Sequence, residues 1–278
     1  MGHRLCVRNA VPMMPRMAMD APINIEIEQG CTLCVIGRNG AGKSILTSIL
    51  TGDCPIREGG VTIDGSSVTH GDIITLSFRD IYSAAQLRDM YYQQRFNSFN
   101  SDEAPTVAEV LEEYAGALYG RMADVCGIED MLDKRTIALS SGQTRKLHIY
   151  RAVMKKPKYL VIENPFIGLD SSSREQVGEM LAALPAMGIV CIYAVSDVED
   201  IPDDTTHVLP IERRHIFPVM EKDVFINDEA FINRLFTDEE KNYDVFPAPH
   251  YDLPSYDVAV EMKDVGVSYG GREILRGI

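Results

Sequence analysis

The hydrophobic residues of this chain are concentrated in short runs that are separated by longer segments of mixed polarity. Tyr159-Leu160-Val161-Ile162 and the segment from Ile189 to Val195 are almost entirely apolar. Runs of this length are typical of strands that are buried on both faces of a parallel sheet. A third run, Thr32-Leu33-Cys34-Val35-Ile36, leads directly into a glycine-rich segment. We therefore expect these three segments to be strands of a mostly parallel α/β sheet.

Shorter strands are predicted between and after these runs. They cover residues 61–65, 72–77 and 90–92, and two more lie near Val208 and Ile216. Because helical segments separate several of these strands, the overall pattern is that of an α/β domain.

Helix starts are indicated by capping residues, and one helix end is indicated by a proline. One helix is predicted from Thr106 to about residue 119, and a second over residues 121–132. Pro157 is expected to end a third helix near Lys156, because proline cannot continue a helix. The capping pairs that the spacing predicts are Thr106 with Glu109 and Ser172 with Glu175.

The glycine-rich segment has the composition of a phosphate-binding loop. Glycines let the backbone curl so that its N–H groups point at a polyphosphate, and the helix that follows adds the partial positive charge of its N-terminus. Lys43 would reach the β- and γ-phosphates, and the Ser44 hydroxyl would bind Mg²⁺. The chain is therefore expected to bind a nucleoside triphosphate. The residues of the loop are Gly37, Arg38, Asn39, Gly40, Ala41, Gly42, Lys43 and Ser44.

The composition is that of a protein with a full hydrophobic core. The chain has 278 residues, of which 45% are hydrophobic, and a formal net charge of −14. This charge argues against nucleic acid as a partner, because proteins that bind it usually carry a basic patch. The longest nearly apolar stretch, residues 182–195, contains Pro185 and Gly188 and is too short to cross a bilayer. No apolar segment follows Met1, so we expect a cytoplasmic protein that does not insert directly into a membrane.

The six cysteines are scattered along the chain. Cys31 and Cys34 have the spacing of a metal or redox pair, but they fall on a predicted strand, where an odd offset points them to opposite faces. We therefore expect reduced, buried thiols.

The order of the motifs resembles that of an ATP-binding-cassette (ABC) nucleotide-binding domain. The phosphate loop is followed by a glutamine after a strand, by residues 139–143, by an apolar strand that ends in an acid, and by Gly168-Leu169-Asp170. The resemblance covers about residues 23–220. It implies an α/β P-loop ABC ATPase fold, in which a RecA-like core sheet carries an antiparallel β subdomain and an inserted helical subdomain, here at about residues 95–156. It also implies ATP and Mg²⁺ as cofactors.

The segment Leu139-Ser140-Ser141-Gly142-Gln143 matches the family signature, with Ser141 where a second glycine is usual. The resemblance implies that Ser140 and the backbone of Gly142 contact the γ-phosphate of a nucleotide held by a partner domain. A helix N-terminus directed at an anion is physically suited to that role.

The resemblance assigns further roles to Asp170 and Gln94. Asp170 falls at the family's D-loop. Gln94 best matches the glutamine that senses Mg²⁺, and Gln93 is the neighbouring alternative. Mg²⁺ would thus be held by Ser44, Gln94 and Glu163.

The sequence departs from the family pattern at the residues that support hydrolysis. Glu163 stands where an aspartate usually orders Mg²⁺, and a carboxylate one methylene longer could still serve. Asn164 stands where a glutamate usually polarises the attacking water, and an amide cannot accept a proton from water. Ser196 stands at the position of the switch histidine. The stretch from Val11 to Pro15, which offers methionines, stands where an aromatic residue usually stacks on adenine. We therefore expect a degenerate catalytic centre, with misalignment of one of these positions as the alternative.

The last residues resemble the opening of a second ABC domain. Residues 258–275 include Tyr269 at the position of the adenine-stacking aromatic, and residues 237–257 have the composition of a linker. We expect residues 1–236 to form the first nucleotide-binding domain, residues 258–278 to begin a second one, and the sequence to be the first half of a tandem protein.

Residues 91–107 and the short linker most resemble the molybdate-transport-associated ATPases, which are also described as photorepair proteins. The expected function is that of an ATPase which energises or regulates another component. The alternatives are a purely regulatory nucleotide sensor and a translation- or repair-associated ABC protein. The expected partners are the second ABC domain of the same protein or a homodimer partner, and transporter membrane subunits at the inner face of the membrane.

Overall fold

The computed structural model describes residues 3–69, 71–77, 104–112, 121–236, 258, 261, 263–269 and 272–277. The chain divides into two compact units, Met1–Thr237 and Asp238–Ile278. The strands are β1 (Arg4–Pro12), β2 (Ile23–Glu28), β3 (Leu33–Ile36), β4 (Ile56–Ile63), β5 (Ser66–Ser67), β6 (Ile73–Ser77), β7 (Tyr159–Glu163), β8 (Val190–Val195), β9 (His207–Glu212), β10 (His215–Ile216), β11 (Met220–Glu221), β12 (Val267–Tyr269) and β13 (Arg272–Leu275). The helices are α1 (Lys43–Leu50), α2 (Val107–Leu111), α3 (Arg121–Cys126), α4 (Ser141–Met154), α5 (Ser171–Ala183), α6 (Lys222–Ile226) and α7 (Glu229–Phe236).

The main sheet of the first unit has the strand order β10-β9-β3-β8-β7-β6, and β11 also pairs with β9. The pairs among β9, β3, β8, β7 and β6 are all parallel. The three apolar runs form β3, β7 and β8, as the sequence predicts. Because parallel strands end at the same edge of a sheet, the segments that follow Ile36, Glu163 and Val195 lie side by side.

The core lies on both faces of this sheet. On β3, Cys34 and Ile36 face one cluster of buried residues, whereas Leu33 and Val35 face the other. Strands that are buried on both faces read as continuous apolar runs, which is why these segments carry no polar alternation.

A second sheet of order β2-β1-β4-β5 is antiparallel. The sequence pattern did not predict β1, because a register shift between Val7 and Ala10 interrupts its alternation. Asn9 within this bulge has a φ of 48°. A bulge of this kind changes which face of the sheet the later side chains point to. The apolar residues then no longer alternate regularly, so the strand is hard to recognise from the sequence.

The structure confirms some predicted helix boundaries and corrects others. The capping box of Thr106 and Glu109 is present, with reciprocal hydrogen bonds of 3.2 and 2.7 Å. The second predicted helix is shorter than expected, because it ends at Cys126 and Gly127 adopts a φ of 59°. The prediction that Ser172 and Glu175 cap the later helix is wrong. Asp170 is the N-cap of α5, and its carboxylate accepts the Ser173 N–H at 2.8 Å.

The second unit contributes the antiparallel hairpin of β12 and β13. Tyr269 is the last residue of β12. Predicted linker residues 237–257 lie outside the described residues. Among the residues that the structure describes, no helix is both long and apolar enough to span a membrane.

Candidate functional site

The phosphate loop connects β3 to α1, and it favours glycine at two positions, at one because of packing and at the other because of backbone conformation. A Cβ at Gly37 would lie 2.1 Å from the Ile211 carbonyl oxygen, so only glycine fits there. Gly42 is the N-cap of α1 with a φ of 120°, which side chains rarely allow. These constraints fix the curled path of the loop between the end of β3 and Lys43.

Lys43 is a cation at the end of the loop, and the residue is only 8% exposed. Its Nζ donates hydrogen bonds to the carbonyl oxygens of Gly37 at 2.5 Å and of Arg38 at 3.0 Å. The ammonium is therefore held inside the curve of the loop. The next residue, Ser44, is exposed on the first turn of α1. The loop thus presents a cation and an accessible hydroxyl side by side, which is what a Mg²⁺-bound polyphosphate requires.

Glu163 is the last residue of β7, and its carboxylate is fixed by α1. Thr47 Oγ1 donates a hydrogen bond of 2.8 Å to Glu163 Oε1. The same hydroxyl lies 3.2 Å from the Ser44 carbonyl oxygen. Thr47 is one helical turn beyond Ser44. The side chain of Glu163, which is one methylene longer than that of aspartate, therefore reaches from the end of β7 to the second turn of α1.

Asn164 adopts a left-handed backbone conformation with a φ of 49°. Its backbone N–H donates to the Ala194 carbonyl oxygen at 2.8 Å. Asparagine tolerates this conformation better than most residues, whereas glutamate does not. The amide at the predicted base position therefore fits a backbone that disfavours the usual glutamate.

Ser196 follows β8 and contacts the phosphate loop. Its hydroxyl donates to Asn39 Oδ1 at 3.0 Å. The preceding residue, Val195, accepts the Gly37 N–H at 3.4 Å. The structure thus brings the predicted switch position to the loop, with a short hydroxyl in place of an imidazole.

Residues 13–20, which we call the methionine segment, lie beside the same loop. A Cβ at Gly42 would lie 3.2 Å from Met19 Cε. Met17 Sδ lies 3.9 Å from Cys54 Sγ. Met13 is 56% exposed. Met19 of this segment therefore places a flexible apolar side chain next to the phosphate loop.

The predicted signature forms the start of α4. Ser140 is the N-cap, and its hydroxyl accepts the Gln143 N–H at 3.2 Å. Gln143 Oε1 in turn accepts the Ser140 N–H at 3.1 Å, which completes a capping box. Leu139 is buried, whereas Ser140 and Ser141 are exposed. The two serine residues at the start of this helix are therefore accessible from outside the domain.

The start of α4 packs directly against the start of α5. A Cβ at Gly142 would lie 2.5 Å from Ser173 Oγ and 2.7 Å from Ser173 Cβ. Ser173 Oγ donates to Asp170 Oδ2 at 3.0 Å. Hydrogen bonds from Ser173 hold the pKa of Asp170 below its ordinary value. The predicted signature and D-loop residues are therefore brought together within one domain.

A buried arginine provides a second link between the signature helix and the strand end of β7. Arg145 Nη1 donates to the Pro165 carbonyl oxygen at 2.7 Å. Burial lowers the pKa of this guanidinium to about 10. Arg145 therefore connects α4 to the residue that follows Asn164.

The candidate site residues that the structure describes form two groups. The phosphate loop, Glu163, Asn164 and Ser196 lie at one edge of the main sheet, and the signature lies with Asp170 at the starts of α4 and α5. Gln93 and Gln94 lie outside the described residues. The sequence reasoning did not single out Thr47, Ser173 or Arg145. Of these three, only Thr47 could have been found from the sequence, because it carries a hydroxyl group one helical turn beyond Ser44.

The residues present fit a Mg²⁺-bound nucleotide, because Ser44 and Glu163 supply hard oxygen donors of the kind that Mg²⁺ prefers. Among the described residues, no group of three or more His, Cys, Asp or Glu side chains could hold a metal ion. Few protein ligands are expected for Mg²⁺ that is also bound by phosphates.

The cysteines are all free thiols. Cys34 is buried on β3, but Cys31 precedes that strand and is only partly buried, as is Cys6. The prediction that Cys31 lies on the strand is therefore wrong. Cys31 Sγ lies 3.4 Å from His207 Nδ1.

Comparison with known proteins relates this architecture to one family. Residues 21–167 match the ABC transporter family. The chain is 26% identical over 264 residues to the ABC transporter ATP-binding protein ModF of Escherichia coli, and the match covers 91% of this chain and 52% of ModF. It is 29% identical over 189 residues to the cobalt import ATP-binding protein CbiO of Rhodobacter capsulatus, with 64% of each chain covered. The chain thus spans about half the length of ModF and less than two thirds of CbiO.

Solved structures share the fold. A nucleotide-free ATP-binding cassette from an ABC transporter superposes with a TM-score of 0.65 at 20% identity, covering 84% of this chain and 97% of that one. The ADP conformation of MJ1267, an ATP-binding cassette of an ABC transporter, gives a TM-score of 0.63 at 17% identity, with 84% and 96% covered. These structures establish the fold of the first unit.

Proposed function

The chain belongs to the ABC transporter family, and we propose that it binds MgATP as the first nucleotide-binding domain of a tandem ABC protein. The observation that carries this proposal is the intact phosphate loop. It holds Lys43 within its curve and presents Ser44 on the first turn of α1. Lys43 would exchange the carbonyls of Gly37 and Arg38 for phosphate oxygens. Ser44 and Glu163 would hold Mg²⁺, which would neutralise the phosphate charge.

We also propose that this domain hydrolyses ATP only slowly. Asn164 offers an amide where a proton acceptor is needed, and Ser196 offers a hydroxyl that already donates to Asn39. General base catalysis typically contributes about 10²- to 10⁴-fold, so its loss should slow turnover by about that factor. The bound nucleotide would then persist as ATP.

The signature is proposed to serve the other nucleotide site of a pair. Ser140 and Ser141 are exposed at the start of α4. In a head-to-tail pair of ABC domains, each ATP lies between the phosphate loop of one domain and the signature of the other. Ser140, Gly142 and Gln143 would then complete a second site, while the ATP held by Lys43 would act as an interfacial ligand.

The proposed second domain begins with residues 258–278, which include the hairpin of β12 and β13. Tyr269 would supply its adenine stacking, and a homodimer is the alternative pairing. The names of CbiO and of the energy-coupling factor transporter protein EcfA2 describe ATP-binding proteins of transport systems. By analogy, we propose a cytoplasmic protein that associates with transporter membrane subunits at the inner membrane face. A nucleotide-dependent regulatory scaffold is the second candidate, and the amide at Asn164 favours it.

The ATP-binding proposal is tested by calorimetry with the chain itself. Wild type should bind MgATP, and Lys43→Ala should reduce the affinity sharply, because it removes the cation held against the phosphates. Lys43→Arg is the matched control for charge. Equal affinity of wild type and Lys43→Ala would refute the proposal.

The signature proposal is tested in a protein that joins this chain to a complete second cassette. Ser140→Arg should abolish turnover, because a bulky side chain would occupy the place of the second γ-phosphate. Asn164→Ala should barely change it. The reverse order of damage would show that the site next to Lys43 is the working hydrolytic site.

A further inference from the structure

The turn between β9 and β10 has a backbone conformation that arginine rarely adopts. Arg213 and Arg214 have φ values of 47° and 71°. This left-handed region favours glycine and asparagine, and two-residue hairpin turns that need it usually carry them. Strained residues persist only where their surroundings fix them, and they concentrate at functional sites.

Arg214 is fixed by the phosphate loop on one side and by the methionine segment on the other. Its backbone N–H donates to the Ala41 carbonyl at 2.7 Å, and its carbonyl accepts the Asp20 N–H at 3.3 Å. Its side-chain Nη1 donates to the Ala18 carbonyl at 3.2 Å. The neighbouring His215 Nδ1 lies 2.5 Å from Asp20 Oδ2. The arginine turn thus attaches residues 18–20 to the loop that would hold the phosphates.

The three elements meet at the residue that caps α1. A Cβ at Gly42 would lie 3.2 Å from Met19 Cε and 3.6 Å from Arg214 Cα. A nucleotide whose phosphates lie in the loop must place its nucleoside beside it. Met19 of the methionine segment places a polarizable apolar side chain beside the loop, and such side chains adapt to the face of a base.

We propose that Arg214 is a positioning residue for nucleotide recognition: it holds the methionine segment against the phosphate loop, so that this segment covers the nucleoside. The inference rests on the proposed binding of MgATP. A glycine at position 214 would relieve the backbone strain but would lose the Nη1 bond to Ala18. Arginine at position 214 therefore tolerates a strained backbone conformation, and its side chain attaches the methionine segment.

The test compares two ligands in Arg214→Gly. MgATP reports on the phosphates and the nucleoside, whereas magnesium tripolyphosphate reports on the phosphates alone. Loss of this exposed hydrogen bond should weaken MgATP binding about threefold to tenfold. Tripolyphosphate affinity should stay within twofold of wild type, because the loop is unchanged. The melting temperature should not fall, since glycine suits the left-handed backbone.

Two further variants serve as controls. Arg213→Gly removes the strain of the adjacent residue and leaves the Arg214 bond to Ala18 in place, so its MgATP affinity should match wild type. Arg214→Lys keeps a long cationic donor and should recover most of the affinity. A merely structural role of the turn would instead lower the affinity for both ligands together, along with the melting temperature.

The outcomes are distinct. A selective loss of MgATP affinity in Arg214→Gly, with rescue by lysine, supports the inference. Parallel loss for both ligands, or wild-type affinity for both, overturns it while the proposed function stands. Failure of the wild-type chain to bind either ligand overturns the proposed function and the inference together.

Discussion

Thr47 Oγ1 donates a hydrogen bond of 2.8 Å to Glu163 Oε1, and it thereby fixes the carboxylate proposed to hold Mg²⁺. Thr47→Val keeps the shape of this buried side chain but removes the donor. We expect MgATP binding to require several-fold more Mg²⁺ and the free energy of unfolding to fall by about 1 kcal/mol. Titration of Mg²⁺ at fixed ATP measures the first effect, and denaturant unfolding measures the second.

Thr47→Ser is the matched control, because it keeps the hydroxyl. Its Mg²⁺ requirement should stay close to wild type. If valine and serine shifted the requirement equally, the hydrogen bond to Glu163 would have no part in metal binding.

Asn164 provides a second prediction, because its φ of 49° restricts which acids can replace it. Asn164→Glu should lower the free energy of unfolding by about 1 kcal/mol, since a glutamate in this conformation is strained. Asn164→Asp should cost less, because aspartate tolerates the left-handed region as asparagine does. Thermal unfolding of the two variants checks this order, and equal stability would show that backbone conformation does not select the residue.

Gly142 is expected to be required by packing against Ser173. Alanine is the better helix former by about 1 kcal/mol, so Gly142→Ala would stabilise an uncrowded helix. Because the added Cβ would lie 2.5 Å from Ser173 Oγ, we expect destabilisation by about 1–3 kcal/mol instead.

A double variant identifies the cause of that loss. Ser173→Gly in the Gly142→Ala background should restore stability, whereas Ser173→Ala should not, because Ser173 Cβ itself lies 2.7 Å from the added atom. Rescue by Ser173→Ala alone would assign the conflict to the hydroxyl and contradict the packing argument.

Asp72, which precedes β6, gives a pH-dependent prediction. Hydrogen bonds from Thr69, and a 2.9 Å pair with Lys158, lower its pKa from 3.8 to about 2. A lowered pKa means that the stabilisation is complete above pH 3.8 and is lost as the pH falls towards 2. Asp72→Asn should therefore lower the melting temperature by about 2 °C at pH 7. A difference that persists unchanged at pH 2 would contradict this assignment.

The sequence predicted several features that depend on local patterns, although the alternating strand β2 was not singled out. The phosphate loop, the buried strands β3, β7 and β8, and the capping box of Thr106 and Glu109 all have short-range signals. The bulged strand β1 was missed, because its extra residues break the alternation of apolar positions. The cap of α5 was misassigned, because Asp170, Ser172 and Ser173 are all acceptable caps by residue type, and only the turn before the helix selects among them.

The contacts that organise the site could not be predicted from spacing. Thr47 and Glu163 are separated by 116 residues and meet only because parallel pairing places β7 near α1. Arg214 gave no signal at all, because arginine is an unusual residue for a left-handed turn. The contacts of Thr47 and Arg214 depend on the tertiary fold, so the local sequence does not indicate them.

The most direct test of the central claim is the chemical identity of the nucleotide that the purified chain retains. The chain is incubated with excess Mg²⁺ and labelled ATP, and bound nucleotide is separated and analysed over time. Wild type should retain intact ATP, with turnover far below the order of 1 s⁻¹ that is common among enzymes, and Lys43→Ala should retain none. Conversion to ADP and phosphate at about 1 s⁻¹, or equal retention by Lys43→Ala, would contradict the account of a phosphate loop that holds ATP beside a degenerate catalytic centre.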